Sequence, residues 1–106
     1  MEVGWHPEAE AERQEVSDRD LFAIDVAVEK LRVNPLLGYP HTSDVGGGIR
    51  ELRPRQGRCR WRVFYARHRD TVVVLAIGPE AASDRHGFAQ TRQRALARLR
   101  ALRSNG

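Results

Sequence analysis

The chain predicts an α+β domain, and three changes of period carry that expectation. Leu21, Ile24, Val28 and Leu31 recur at three- and four-residue spacing, which draws one apolar stripe along a helix. From Ile49 to Ile77 the period falls to two, as in strands, and Leu96, Leu99 and Leu102 then return to helical spacing.

The elements follow in order. Glu2 to His6 is a short strand candidate, and Pro7 opens a helix, since proline fits the first turn, where its missing N–H is not needed. Glu8, Glu10 and Glu12 oppose the positive end of that helix dipole, and the helix is expected to run to about Val16. Ser17 with Asp20 resembles a capping box and starts the second helix, which Pro35 stops just after Asn34. The pair reads as a helical hairpin. The segment PLLGYPHTSDVGGG, Pro35 to Gly48, holds two prolines and four glycines and is expected to be a surface loop.

Ile49 to Arg53 then forms one strand and Trp61 to Arg67 another, with Trp61, Val63 and Tyr65 on one face. Thr71 to Ile77, nearly all apolar, forms the central one. His68 to Asp70 links the last two strands as an antiparallel hairpin, while Pro54 to Cys59 is a longer, arginine-bearing connection. Gly78 and Pro79 end the sheet, and Phe88 to Leu102 reads as an amphipathic basic helix. The expectation is one domain over 1–106, a three-stranded antiparallel meander with its helices on one face. The bare face would then carry Arg53, Arg55, Arg58, Arg60 and Arg62.

Charge is distributed unevenly. Ten of the fourteen acidic residues precede residue 49 and fourteen of the eighteen basic residues follow it, so a front half near −6 meets a back half near +10. Seventeen of the eighteen basic residues are arginine, whose rigid fork of donors matches phosphate oxygens. A basic concave surface of this kind suits a polyanion. The N-terminus lacks an apolar run of signal-peptide type, and no segment reaches the roughly 20 apolar residues that span a bilayer, so a cytoplasmic protein away from membranes is expected. The single cysteine, Cys59, excludes an internal disulfide, and four scattered histidines suggest no zinc pattern, so neither metal nor cofactor is expected.

Taken together, several strings resemble the RelE/HigB/ParE superfamily of bacterial toxins from type II toxin–antitoxin modules. HPEAEAERQEV looks like its opening strand-to-helix passage and PLLGYPH like the loop after its helical hairpin. GGGIRELR followed by WRVFYARHRDTVVVLAIG looks like its sheet, with ELR and RVFY the most specific pieces. The resemblance covers nearly all of the chain. It implies a RelE-like fold and metal-independent cleavage of mRNA on the ribosome, by attack of a ribose 2′-hydroxyl on the adjacent phosphate. It also implies a cognate antitoxin as partner.

Such chemistry needs a base for the 2′-proton, an acid for the leaving 5′-oxygen and cations for the phosphate. Arg62, in RVFY, matches the arginine by which family members hold the scissile phosphate, and Arg53, closing ELR, matches a frequent basic position nearby. The family's lysines in the second strand and the basic residue after the last strand are absent. Glu51 and the Gly78, Pro79, Glu80 turn stand there instead. Glu51 or Glu80 as base with His86 as acid, assisted by Arg85, could fill the gap, and Arg55, Arg58, Arg60 and Phe88 are further candidates for nucleic-acid contact. The alternative from another class is a non-nucleolytic toxin that blocks DNA gyrase in the manner of ParE, or an RNA- or protein-binding module of the same fold. The missing acid–base set favours that alternative.

Other readings are structural. Trp61 and Tyr65 are expected to pack rather than stack on bases, and Phe88 could equally anchor the last helix to the sheet. Cys59, between Arg58 and Arg60, would be reactive if exposed, because neighbouring cations lower a thiol pKa. His41 is expected to be a loop residue satisfied by local backbone.

Overall fold

The computed structural model describes residues 1–105, and Gly106, the last residue of the expected domain, lies outside the described residues. The elements are β1 (Glu2–Trp5), α1 (Pro7–Arg13), α2 (Asp18–Val33), β2 (Thr42–Gly46), β3 (Ile49–Leu52), β4 (Trp61–His68), β5 (Thr71–Pro79) and α3 (Arg85–Ser104). They build an α+β fold around one five-stranded sheet of order β1-β5-β4-β3-β2. Strands β2 to β5 pair antiparallel with their neighbours, and β1 lies parallel to β5.

The sheet is larger than the expected meander for two reasons. Gly46, Gly47 and Gly48 all have positive φ, and this turn folds Thr42–Gly46 back on Ile49–Leu52, so part of the expected loop is an edge strand. The helical hairpin carries the chain from β1 at one edge of the sheet to β2 at the other, and the meander then runs back so that β5 pairs with β1. The centre of the sheet is therefore β4, with β5 one place to its side.

Both helix starts carry side-chain caps. His6 caps α1, its Nδ1 accepting from Glu8 N at 3.1 Å, and Pro7 stands in the first turn. Ser17 Oγ accepts from Asp20 N at 3.3 Å at the start of α2. Asp20 does not reciprocate as in a full capping box; its carboxylate accepts from Trp61 Nε1 at 3.2 Å and ties α2 to β4. Helix α1 ends at Arg13, earlier than expected.

Helices cover both faces, which corrects the one-sided arrangement. Ala9 of α1 and Ala23, Ile24, Ala27, Val28 and Leu31 of α2 pack on Leu52, Val63, Tyr65, Val72, Val74 and Ile77. On the opposite face Ala95 and Leu99 of α3 pack on Ile49, Phe64, Ala66, Leu75 and Ala76, with Phe88, Leu96 and Leu102 at the margin. The physical reason lies in the strands. Val63 to Ala66 and Val72 to Ile77 are apolar at odd and even positions alike, the pattern of strands buried on both sides. Fully burying a side chain the size of Phe64 or Leu75 contributes about 1.5–3 kcal/mol, so a bare second face would forfeit several such terms.

One irregularity in β5 adjusts the two cores. Phe64 pairs with Ala76 and Tyr65 with Val74, which leaves Leu75 as a bulge residue. Leu75 and Ala76 consequently both face α3, and the alternation resumes with Ile77 on the α1 side. Strand β1 stops opposite Val74, where His6 N donates to Val74 O at 2.9 Å, so the edge of β5 beyond it lacks a strand partner. Side chains replace the missing strand: Arg98 Nη1 donates to Leu75 O at 2.7 Å, and Glu12 Oε1 accepts from Ile77 N at 3.0 Å. No helix of the described residues is long and apolar enough to cross a membrane.

Candidate functional site

Strands β3 and β4 place Glu51 and Arg62 on the α3 side of the sheet. Glu51 pairs with Phe64, and Arg62 stands two residues before Phe64, opposite Gly78. Helix α3 passes directly above Gly78, where an added Cβ would overlap Thr91 Oγ1, so only glycine admits the helix at this height. The turn after β5 then carries Glu80 over Arg62. That turn is fixed by Glu80 N donating to Arg60 O at 2.8 Å and by Asp84 N donating back to Glu80 O at 3.0 Å. Asp84 in turn caps α3, accepting from Gly87 N at 2.8 Å, so the helix begins at Arg85, three residues before Phe88.

The result is one continuous polar network. Glu51, 6% exposed, accepts on Oε1 from Ser43 Oγ at 2.7 Å and from Arg53 Nη2 at 2.8 Å and Nε at 3.2 Å. Its Oε2 lies 4.0 Å from Arg62 Nε. Arg62, whose side chain is 16% exposed, donates from Nη2 to Glu80 Oε2 at 2.8 Å and from Nη1 to Trp61 O at 3.0 Å. Ser83 Oγ closes the chain on Glu80 Oε1 at 2.7 Å. The hydrogen bond from Arg53 to Glu51 raises the guanidinium pKa further, outweighing desolvation, and Arg53 also lies over the Tyr39 ring at 5.7 Å.

Of the five residues expected to be catalytic, four are therefore brought together: Arg62, Arg53, Glu51 and Glu80. His86 is not. It stands in the exposed first turn of α3 and, among the described residues, is hydrogen-bonded to neither carboxylate. Arg85 occupies the same exposed turn.

The expected arginine-lined bare face does not exist as one surface, because α3 occupies most of it. Arg58 and Arg60 are exposed and, with Arg19, line a cleft of about 460 Å³ beside Trp61, Pro79 and Ser83, adjoining the Glu80 turn. Arg53 and Arg55 instead border a small crevice against α2. Phe88 packs on Phe64 with ring centroids 5.2 Å apart and so anchors α3 to the sheet. Cys59 is buried, and burial pushes its thiol pKa up, opposite to the effect expected of an exposed cysteine between two arginines. His41 is held by backbone, its N–H donating to Gly38 O at 3.0 Å and its carbonyl accepting from Arg53 N at 2.8 Å.

Sequence reasoning missed Ser43, Ser83 and Arg19 as members of this region. Ser43 was legible in principle: a polar and apolar run before three glycines, followed by a strand, is a hairpin pattern.

The charge asymmetry also has an internal use. Arg98 Nε and Nη2 each lie 2.9 Å from Glu8 and Glu12 respectively, Arg94 Nε lies 3.3 Å from Glu12, and Arg92 Nε donates to Val45 O at 2.6 Å. Three arginines of the basic helix thus fasten it to α1 and to the edge strand β2. Burial by itself would raise the Glu12 carboxyl, but the hydrogen bonds from Arg98 and Ile77 N–H and the two guanidinium charges hold it below the ordinary carboxylate range.

This sheet, flanked by a helical hairpin and a C-terminal helix, is the fold of RelE-like toxins. Residues 13–79 match the family described as phage-derived protein Gp49-like (DUF891), and the chain belongs to that family. The free-state structure of an arginine-substituted mutant of the E. coli toxin RelE superposes with a TM-score of 0.63 at 10% identity, over 88% of this chain and 95% of that one. A YoeB/ParE toxin from Agrobacterium tumefaciens gives 0.57 at 15% identity, over 73% and 95% of the two chains. The archaeal RelE–RelB complex from Pyrococcus horikoshii gives 0.55 at 17%, over 74% and 92%. No curated protein matches the chain.

Proposed function

We propose that the chain is the toxin of a type II toxin–antitoxin module, a single HigB- or RelE-like domain that cleaves mRNA on the ribosome in the cytoplasm and is neutralised by a cognate antitoxin. The observation that carries this reading is the convergence of Arg62, Arg53, Glu51 and Glu80 on one polar network next to the Arg58 and Arg60 cleft. In the reaction, a carboxylate takes the 2′-hydroxyl proton, the 2′-oxygen attacks the adjacent phosphorus and the 5′-oxygen leaves with a proton. The products are a 2′,3′-cyclic phosphate and a 5′-hydroxyl.

Glu51 is the proposed base, since its Oε2 faces Arg62 without a hydrogen bond among the described residues, while Oε1 is fully engaged. Arg62 is the proposed phosphate ligand, and it becomes available when the incoming phosphate takes the place of the Glu80 carboxylate. Arg55, Arg58, Arg60 and Arg85 are proposed to follow the RNA backbone. His86 can protonate the leaving oxygen only if the turn between Glu80 and Asp84 rearranges on binding.

One feature favours the second reading, a toxin that acts by binding alone, for example on DNA gyrase. Both arginines best placed to grip a phosphate are neutralised by carboxylates of their own chain. Mapping transcript ends after induced expression separates the two. Internally cleaved mRNAs ending in cyclic phosphate support the nuclease, and growth arrest with intact transcripts and double-strand-broken DNA supports the gyrase reading.

A further inference from the structure

The end of the sheet away from Arg62 holds a second cleft, of about 510 Å³, which the chemistry above does not use. Its apolar part is made by Pro35, Leu36, Leu37, Tyr65 and Ala66, and its cationic part by Arg50, Arg67 and Arg103. These three guanidinium groups differ from those around Arg62 in one respect. Among the described residues no carboxylate pairs with any of them; Arg50 donates only to Thr42 Oγ1, at 3.0 Å. Arg53, Arg62, Arg94 and Arg98 are each matched with acidic residues, whereas the three guanidinium groups lining this cleft are not.

Two further observations indicate a ligand. The hydroxyl of Tyr65, a residue 2% exposed, is buried without a hydrogen-bond partner, although a buried phenol ordinarily finds one. Leu36 is 79% exposed at the rim, a large apolar side chain left in water next to the cationic groups.

We propose that this cleft binds an acidic polypeptide segment that carries an apolar side chain. A carboxylate of the segment pairs with Arg67 and Arg103, and the apolar side chain covers Leu36 and Leu37. Charge complementarity requires an acidic occupant, and the apolar lining selects polypeptide over nucleic acid, because the one aromatic ring of the cleft is buried and offers no face for a base. The toxin reading bears only on whose segment this is, in that case the antitoxin's; the cleft itself is independent of the reaction at Arg62.

The test is fluorescence anisotropy on the whole chain, with a labelled blocked decapeptide of glutamates that includes one leucine and one tryptophan. Arg67 and Arg103 are exposed and make no ion pair among the described residues, so Arg67→Glu and Arg103→Glu should fold normally, and each is expected to weaken binding at least tenfold. Arg100→Glu, the same charge change outside the cleft, should weaken it less than threefold. Replacing the leucine and tryptophan of the peptide by serine should cost at least fivefold. Backbone amide shifts on Gly48 and Ala66 when the peptide is added to the unsubstituted chain would support the location without any variant. The proposal is overturned by absence of saturable binding, by equal losses in all three variants, or by decauridylate RNA binding more tightly and depending on the same arginines. Failure to cleave mRNA would remove the nuclease reading and leave these peptide results unaffected.

Discussion

Glu80 Oε2 accepts a 2.8 Å hydrogen bond from Arg62 Nη2, so the guanidinium proposed to hold a phosphate is occupied by a carboxylate of its own chain. A carboxylate and a phosphate offer a guanidinium the same pair of anionic oxygens, and they compete for it. Glu80 sits on the turn between the last strand and α3, the one side of the network that is not sheet. Removing its charge should free Arg62. We expect Glu80→Gln to bind single-stranded RNA about fivefold more tightly, the equivalent of roughly one hydrogen bond's net worth of about 1 kcal/mol. Weaker binding by Glu80→Gln in a filter or anisotropy assay would show that Glu80 assists the site instead.

Binding of RNA should fall steeply with salt. Each arginine–phosphate contact releases about 0.7 counterion from a single strand, so four contacts predict a log–log slope of about −3. A slope near zero between low and high salt would remove Arg55, Arg58, Arg60 and Arg85 from the interface.

The Glu12 carboxylate joins Ile77 N–H, Arg94 and Arg98, and folding depresses its pKa. A group of this kind contributes fully above its ordinary value of 4.5 and loses that contribution as pH falls through the lower folded-state value. Glu12→Gln should therefore be less stable than the parent at neutral pH by about 1–3 kcal/mol, with the gap closing in acid. Urea melts at pH 7 and at successively lower pH measure this, and a pH-independent gap would contradict it.

Gly78 and Thr91 set the height of α3 over the sheet. Gly78→Ala should destabilise by about 1–3 kcal/mol through overpacking, and the double change with Thr91→Ala should recover part of that loss. Additive losses in the double variant would show that the contact is not the cause.

Much of this architecture was legible in the residues, and the failures have specific causes. The helix starts at Pro7 and Ser17 and the hairpin across His68 to Asp70 depend on local chemistry, which a sequence displays directly. Strand β2 was hidden because five short residues next to a glycine run read as loop until the partner strand is placed. The second covered face was signalled by Val72 to Ile77, apolar at every position, but a helix cannot be assigned to a face from its own stripe alone. In the site, Arg62 and Glu80 are 18 positions apart, and their pairing depends on the β4–β5 register and on the turn after it. The arginine count likewise overstated the free charge, since Arg92, Arg94 and Arg98 bind their own chain over sequence distances that no local pattern displays.

The central claim is that Arg62 binds the phosphate at which RNA is cut. Growth and transcript ends, measured together in cells expressing Arg62→Ala at a level and circular-dichroism spectrum matching the parent, test it most directly. We expect growth to recover and the cleaved ends to disappear; full growth arrest with the same cleavage pattern in that folded variant would contradict the claim.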